Sequence, residues 1–121
     1  MRDNRLLRGA ALVQGIYYIA AGLWAIFDIY SFQLVTGSKT DLWLVHTVAV
    51  LVFVSGAVLL SAVLNRRISH EIVVLAVGSA LGLMFIDLIY VSAGVISPIY
   101  LLDALVEFAL AAGWLYGWQR G

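Results

Sequence analysis

Four long apolar runs, at about 9–30, 42–64, 72–92 and 99–118, leave this chain few folds. A helix needs about 20 mostly apolar residues to cross the roughly 30 Å hydrocarbon core of a bilayer. Each run reaches that length. In hydrocarbon the backbone must satisfy its own polar groups, which selects helices or closed barrels. Water cannot be the only solvent, because 64% of the residues are apolar and 12% charged, against roughly half and about a quarter in soluble domains. The expected fold is all-α: a single domain over residues 1–121, built as an integral membrane four-helix up-down bundle. Its first partner is the lipid bilayer.

The breaks between the runs carry turn chemistry. Residues 31–41 read SFQLVTGSKTD, 65–71 read NRRISHE and 92–98 read SAGVISP. Gly94 suits the end of the third helix, and Ser97-Pro98 suits the start of the fourth. Connections this short make sequential helices antiparallel neighbours. Arg2, Arg5, Arg8, Arg66, Arg67 and Arg120 then fall at one end of the bundle, and Lys39 alone falls at the other. The positive-inside rule puts both termini in the cytoplasm and the chain in the inner or plasma membrane. Residues 1–21 also resemble a signal peptide, but the apolar run continues to Tyr30, beyond a normal hydrophobic region. An uncleaved first helix is the expectation.

Several function classes lose their footing. Net charge is +0, so no basic excess draws nucleic acid. Cysteine is absent, which removes thiolate chemistry. His46 and His70 are the only histidines and fall at opposite ends, so no metal site and no cofactor is expected. No phosphate loop or Ser-His-Asp pattern occurs.

A partial internal likeness joins the halves. GLWAIFDIY (22–30) matches GLMFIDLIY (82–90) at five positions, and LVHTVAV (44–50) lies over LVEFALA (105–111) at nearly the same offset. The pattern admits a duplicated helical hairpin, with His46 and Glu107 in corresponding places. Chance likeness between apolar helices explains it equally well.

The ionisable residues inside the runs point to function, because charge is expensive in hydrocarbon. Asp28, His46, Asp87, Asp103 and Glu107 all fall in the half of the bundle away from the arginines. Helical spacing sets Gln14, Tyr17, Ala21, Trp24 and Asp28 on one stripe of the first helix. Tyr100, Asp103, Glu107, Leu110 and Trp114 make another on the fourth. Leu83, Asp87 and Tyr90 share a face of the third helix, and His46, Val50 and Phe53 one of the second. Each stripe should turn inward and meet in a shared acidic, aromatic pocket. Candidate ligand contacts are Asp28, His46, Asp87, Asp103, Glu107, Tyr17, Trp24 and Tyr90. Candidate catalytic groups are Glu107, Asp103, Asp87 and His46. Burial and like charge both favour the neutral acid, so Glu107 and Asp87 are expected to hold protons near neutral pH.

Blander roles compete. Asp41 can cap a helix and Asp28 can sit in interfacial water. His46 can be a satisfied interior histidine, while Tyr30, Trp43, Tyr90 and Tyr100 can be belt aromatics. Gly78 and Gly82 form a GxxxG pair opposite Asp87, suited to packing inside the bundle or to a homodimer.

VTGSKTDLWLV (35–45) and ISPIYLLDALVE (96–107) resemble recurring blocks of an uncharacterised group of small bacterial four-helix membrane proteins. That resemblance implies the bundle and no activity. Three functions fit the residues. One is binding or transport of a small amphipathic or cationic molecule with proton dependence. Another is an intramembrane acid–base enzyme, of isomerase or cyclase type, acting on a lipophilic substrate. The third is a structural or assembly subunit.

Overall fold

The computed structural model describes residues 5–37 and 39–120; Arg2 and the side chain of Arg120 lie outside the described residues. It is all-helical. The elements are α1 (Arg5–Phe27), α2 (Ile29–Thr36), α3 (Leu42–Leu64), α4 (His70–Ser92) and α5 (Tyr100–Arg120). Four helices, α1, α3, α4 and α5, are long and apolar enough to cross a membrane. Their outer surfaces agree with that: Val13, Ile16, Leu51, Val54, Leu105 and Phe108 are all exposed. Apolar side chains all round a helix belong in lipid.

Two antiparallel helix pairs make the bundle. Glycines set the first, between α1 and α3. A Cβ on Gly56 would stand 2.7 Å from the carbonyl oxygen of Gly15, and one on Gly22 2.7 Å from that of Ala49. Only hydrogen fits there, so the backbones meet directly. The second pair is α4 with α5, and α1 packs on α5 to join the two. The α3 and α4 helices follow one another in the chain yet touch little, which leaves a cleft between them.

Gly78 and Gly82 lie on that cleft, and a Cβ on either would meet nothing within 4 Å. The GxxxG pair therefore does not serve close packing inside the chain. The close-packing glycines are Gly15, Gly22 and Gly56. The packing does not repeat between the halves either. Gly22 is wedged against α3, while its counterpart Gly82 faces open space.

The ends of the bundle differ. At the arginine end Leu7, Leu59, Ile68, Val73, Ala76 and Trp114 form a dry core. The turn there ends α3 with Arg66 in the left-handed region at φ 55°. Arg66 N donates to Val63 O at 3.2 Å and Arg67 N to Ala62 O at 2.9 Å, a Schellman closure without the customary glycine. Gly94, at φ 76°, closes α4 the same way.

At the lysine end the first helix stops earlier than its hydropathy suggests. Asp28, at φ −143° and ψ 66°, breaks it, and its carboxylate accepts a hydrogen bond from Ser31 N at 3.2 Å. That is N-capping, and it starts α2 where a loop was expected. The α2 helix ends under Lys39, whose Nζ donates to Thr36 O at 3.1 Å and to Gly37 O at 3.0 Å. A cation on the last carbonyls of a helix complements its dipole. Asp41 stands at the N-cap of α3 without a side-chain capping bond.

Candidate functional site

Three bonded pairs join α1 to α5. Gln14, Tyr17 and Tyr18 sit at i, i+3 and i+4 on α1. Asp103, Glu107 and Trp114 follow 4-7 spacing on α5. Antiparallel packing brings them into register. Tyr17 donates its hydroxyl to Asp103 Oδ1. Tyr18 donates to Glu107 Oε1 at 2.7 Å. Trp114 Nε1 donates to Gln14 Oε1 at 2.6 Å, and Gln14 Nε2 donates onward to the Ala76 carbonyl on α4 at 3.0 Å. Gln14 and Trp114 are fully buried, so this last layer closes the site toward the arginine end.

Above that layer lies a cavity of about 580 Å³, bounded by all five helices and the turn before α5. Asp87, Asp103 and Glu107 all line it, with Tyr17, Tyr18 and Trp24. Glu107 is 1% exposed and Asp87 5%. Asp87 reaches in from α4 toward Asp103 and Glu107, and its Oδ2 is buried with no hydrogen-bond partner. The remaining wall is mainly apolar, with Val48, Val52, Leu83 and Ile86 on one side. Phe32 and Val35 of α2 cover the top, and Trp24 is held beneath them by a bond from Nε1 to Ser31 Oγ at 2.8 Å.

Among the described residues no basic side chain lines this cavity. Lys39 lies nearby, but its ammonium caps α2 and stands 5.0 Å from the ring centre of Tyr100. The three carboxyl groups thus share a low-dielectric chamber with two phenols and no cation. Among the described residues no group of His, Asp and Glu is placed to hold a metal ion.

Of the expected site residues, Tyr17, Trp24, Asp87, Asp103 and Glu107 come together. Three others do not line the chamber. Asp28 is exposed and caps α2. Tyr90 is 42% exposed on the outside of α4. His46 is partly buried on α3. The glycine contacts with α1 fix the rotation of α3, and that rotation presents Val48 and Val52 to the cavity instead of the His46 stripe. Tyr18 is the contact that stripe spacing overlooks. It is 1% exposed and holds the most buried acid. Its signal was a second tyrosine directly after Tyr17, on the flank of the same face.

No protein-family model, curated protein or solved structure matches this chain.

Proposed function

We propose that this chain is a small multi-pass membrane protein that binds, or carries across part of the bilayer, a small amphipathic or cationic molecule. One observation supports this above the others. Three carboxyl groups converge on an apolar-walled chamber that, among the described residues, no basic side chain lines. Buried acids need a partner or a proton, and a cationic ligand supplies the partner. Tyr17, Tyr18 and Trp24 offer aromatic surface, which also attracts cations. Both termini belong in the cytoplasm, since Arg5, Arg8, Arg66 and Arg67 share one end of the bundle. The chamber then lies in the outer half of the bilayer.

Purified protein in phosphatidylcholine nanodiscs, titrated with tetraphenylphosphonium, tests this. Saturable binding is expected, and Glu107→Gln should weaken it by at least about tenfold, the scale of a buried charge pair losing one member. Absence of saturable binding to the wild type defeats the proposal.

Asp87 favours a second reading, acid–base chemistry on a lipophilic substrate. Its Oδ2 is buried and unpartnered, as a waiting base would be, beside a carboxyl group already bonded to Tyr18. Asp87 would take a proton and Glu107 or Asp103 would give one. Lipid extracts from cells expressing the wild type should then contain a product missing with Asp87→Asn. Identical extracts reject the enzyme.

A further inference from the structure

We propose that the cleft between α3 and α4 is the seat of a hydrocarbon tail, so that the ligand is a single-chain alkylamine or alkylammonium amphiphile. Its head lies among Asp87, Asp103 and Glu107. This rests on the cation-binding function proposed above and adds where the remainder of the molecule goes.

The shared wall of the two spaces carries the inference. The cleft, about 360 Å³, is lined by Leu51 and Ser55 of α3 and by Gly78, Ser79 and Gly82 of α4. Tyr18, Val48, Val52, Leu83 and Ile86 line both the cleft and the acidic chamber. The two spaces therefore adjoin along α3 and α4, and the proposed ligand spans both. The chamber itself calls for a charged head, because Asp87 lines it and the Oδ2 of that carboxyl group has no hydrogen-bond partner.

The glycines make the cleft. Gly78 and Gly82 present no side chain, and nothing in the protein comes within 4 Å of where a Cβ would stand. Leu51 and Ile86, at its rim, are 62% and 50% exposed, so the cleft opens sideways toward lipid. From Asp87 to Gly78 the helix rises about 14 Å at roughly 1.5 Å per residue, room for a medium-length alkyl chain lying along α4. One cleft takes one tail, which favours a single-chain amphiphile over a two-chain lipid. The same opening is the entry route, from the bilayer side.

The test uses an alkyltrimethylammonium carrying a diazirine at the end of its chain, bound to the full chain in phosphatidylcholine nanodiscs. After illumination, mass spectrometry locates the label. Peptides containing Leu51, Ser55 and Ser79 should carry it. The unmodified amphiphile should reduce it at least fivefold. Gly82→Leu fills the cleft and should cause a similar loss, with helicity and monodispersity retained. Gly9→Leu, at another open glycine, should leave labelling unchanged. Competable label confined to α2 or to residues 94–99 overturns the cleft and leaves the cation site standing. Label spread over lipid-facing residues and insensitive to competitor overturns the seat. A dimer whose cross-links cover Gly78 and Gly82 overturns it as well. If the probe does not bind saturably at all, both proposals fall.

Discussion

Tyr18 and Glu107 lie 89 residues apart in the chain and meet through a 2.7 Å hydrogen bond from the phenol to the carboxyl oxygen. The contact fastens the first helix to the last and holds an acid that is 1% exposed. Tyr18→Phe keeps the ring and deletes the donor. It should destabilise the protein by about 1 kcal/mol, the usual worth of a polar contact between membrane helices. Unfolding in mixed micelles measures this. A double-mutant cycle with Glu107→Gln should return a coupling of similar size, and strict additivity would contradict the bond.

Gln14 serves two partners at once, accepting from Trp114 and donating to Ala76. Gln14→Leu strands the Trp114 indole N–H in a buried layer, while the Ala76 carbonyl keeps its helical bond. A buried polar group without its partner costs roughly 1–3 kcal/mol, so a loss at the upper end is expected. Restored stability in Gln14→Leu with Trp114→Phe would confirm that the indole was the stranded group.

The α1–α3 seam predicts a contrast between glycines. At Gly56 a Cβ would meet Gly15 O at 2.7 Å, and at Gly78 it would meet nothing within 4 Å. Gly56→Ala should destabilise by about 1–3 kcal/mol through overpacking. Gly78→Ala should stay within about 0.5 kcal/mol of the wild type. Equal effects would mean that α1 and α3 do not meet there.

Arg66 holds a left-handed backbone at φ 55°. That conformation costs a non-glycine residue roughly 1–2 kcal/mol. Arg66→Gly should therefore raise stability by about 1 kcal/mol, with tetraphenylphosphonium binding unchanged. An unchanged melting temperature would argue against that turn.

Proton competition gives the last prediction. A cation bound by carboxylates is displaced when they take up protons, so tetraphenylphosphonium affinity should fall as pH falls. Glu107→Gln should flatten the profile as well as lower it. Binding indifferent to pH between 5 and 8 (roughly the physiological window) would point away from the acids as its source.

The apolar runs made the four spans legible, because hydrocarbon demands length and little else. Gly94 at the end of its helix was also visible. Residues 29–36 misled, since IYSFQLVT carries no long run, and only the capping by Asp28 and Lys39 reveals a helix. Helix rotation was the harder problem. On α5 the acids themselves mark the buried face. On α3 the turn of the helix is decided by Gly56 meeting Gly15, and an apolar alphabet gives no sign of which small residue will touch. His46 was accordingly assigned to a face that does not line the chamber. Tyr18 was missed for a related reason. Neighbours 100° apart on a helix can both be buried when two other helices flank them.

The Gln14–Trp114 layer has a mechanical consequence. It closes the chamber toward the arginine end, so a guest would leave sideways or toward the lysine end. Passage to the opposite leaflet would require an indole to swing away and three polar groups to be stripped of their bonds together. Such an event belongs to a slow, gated rearrangement. On the proposed function, a single copy at rest would be a receptacle serving one face of the membrane.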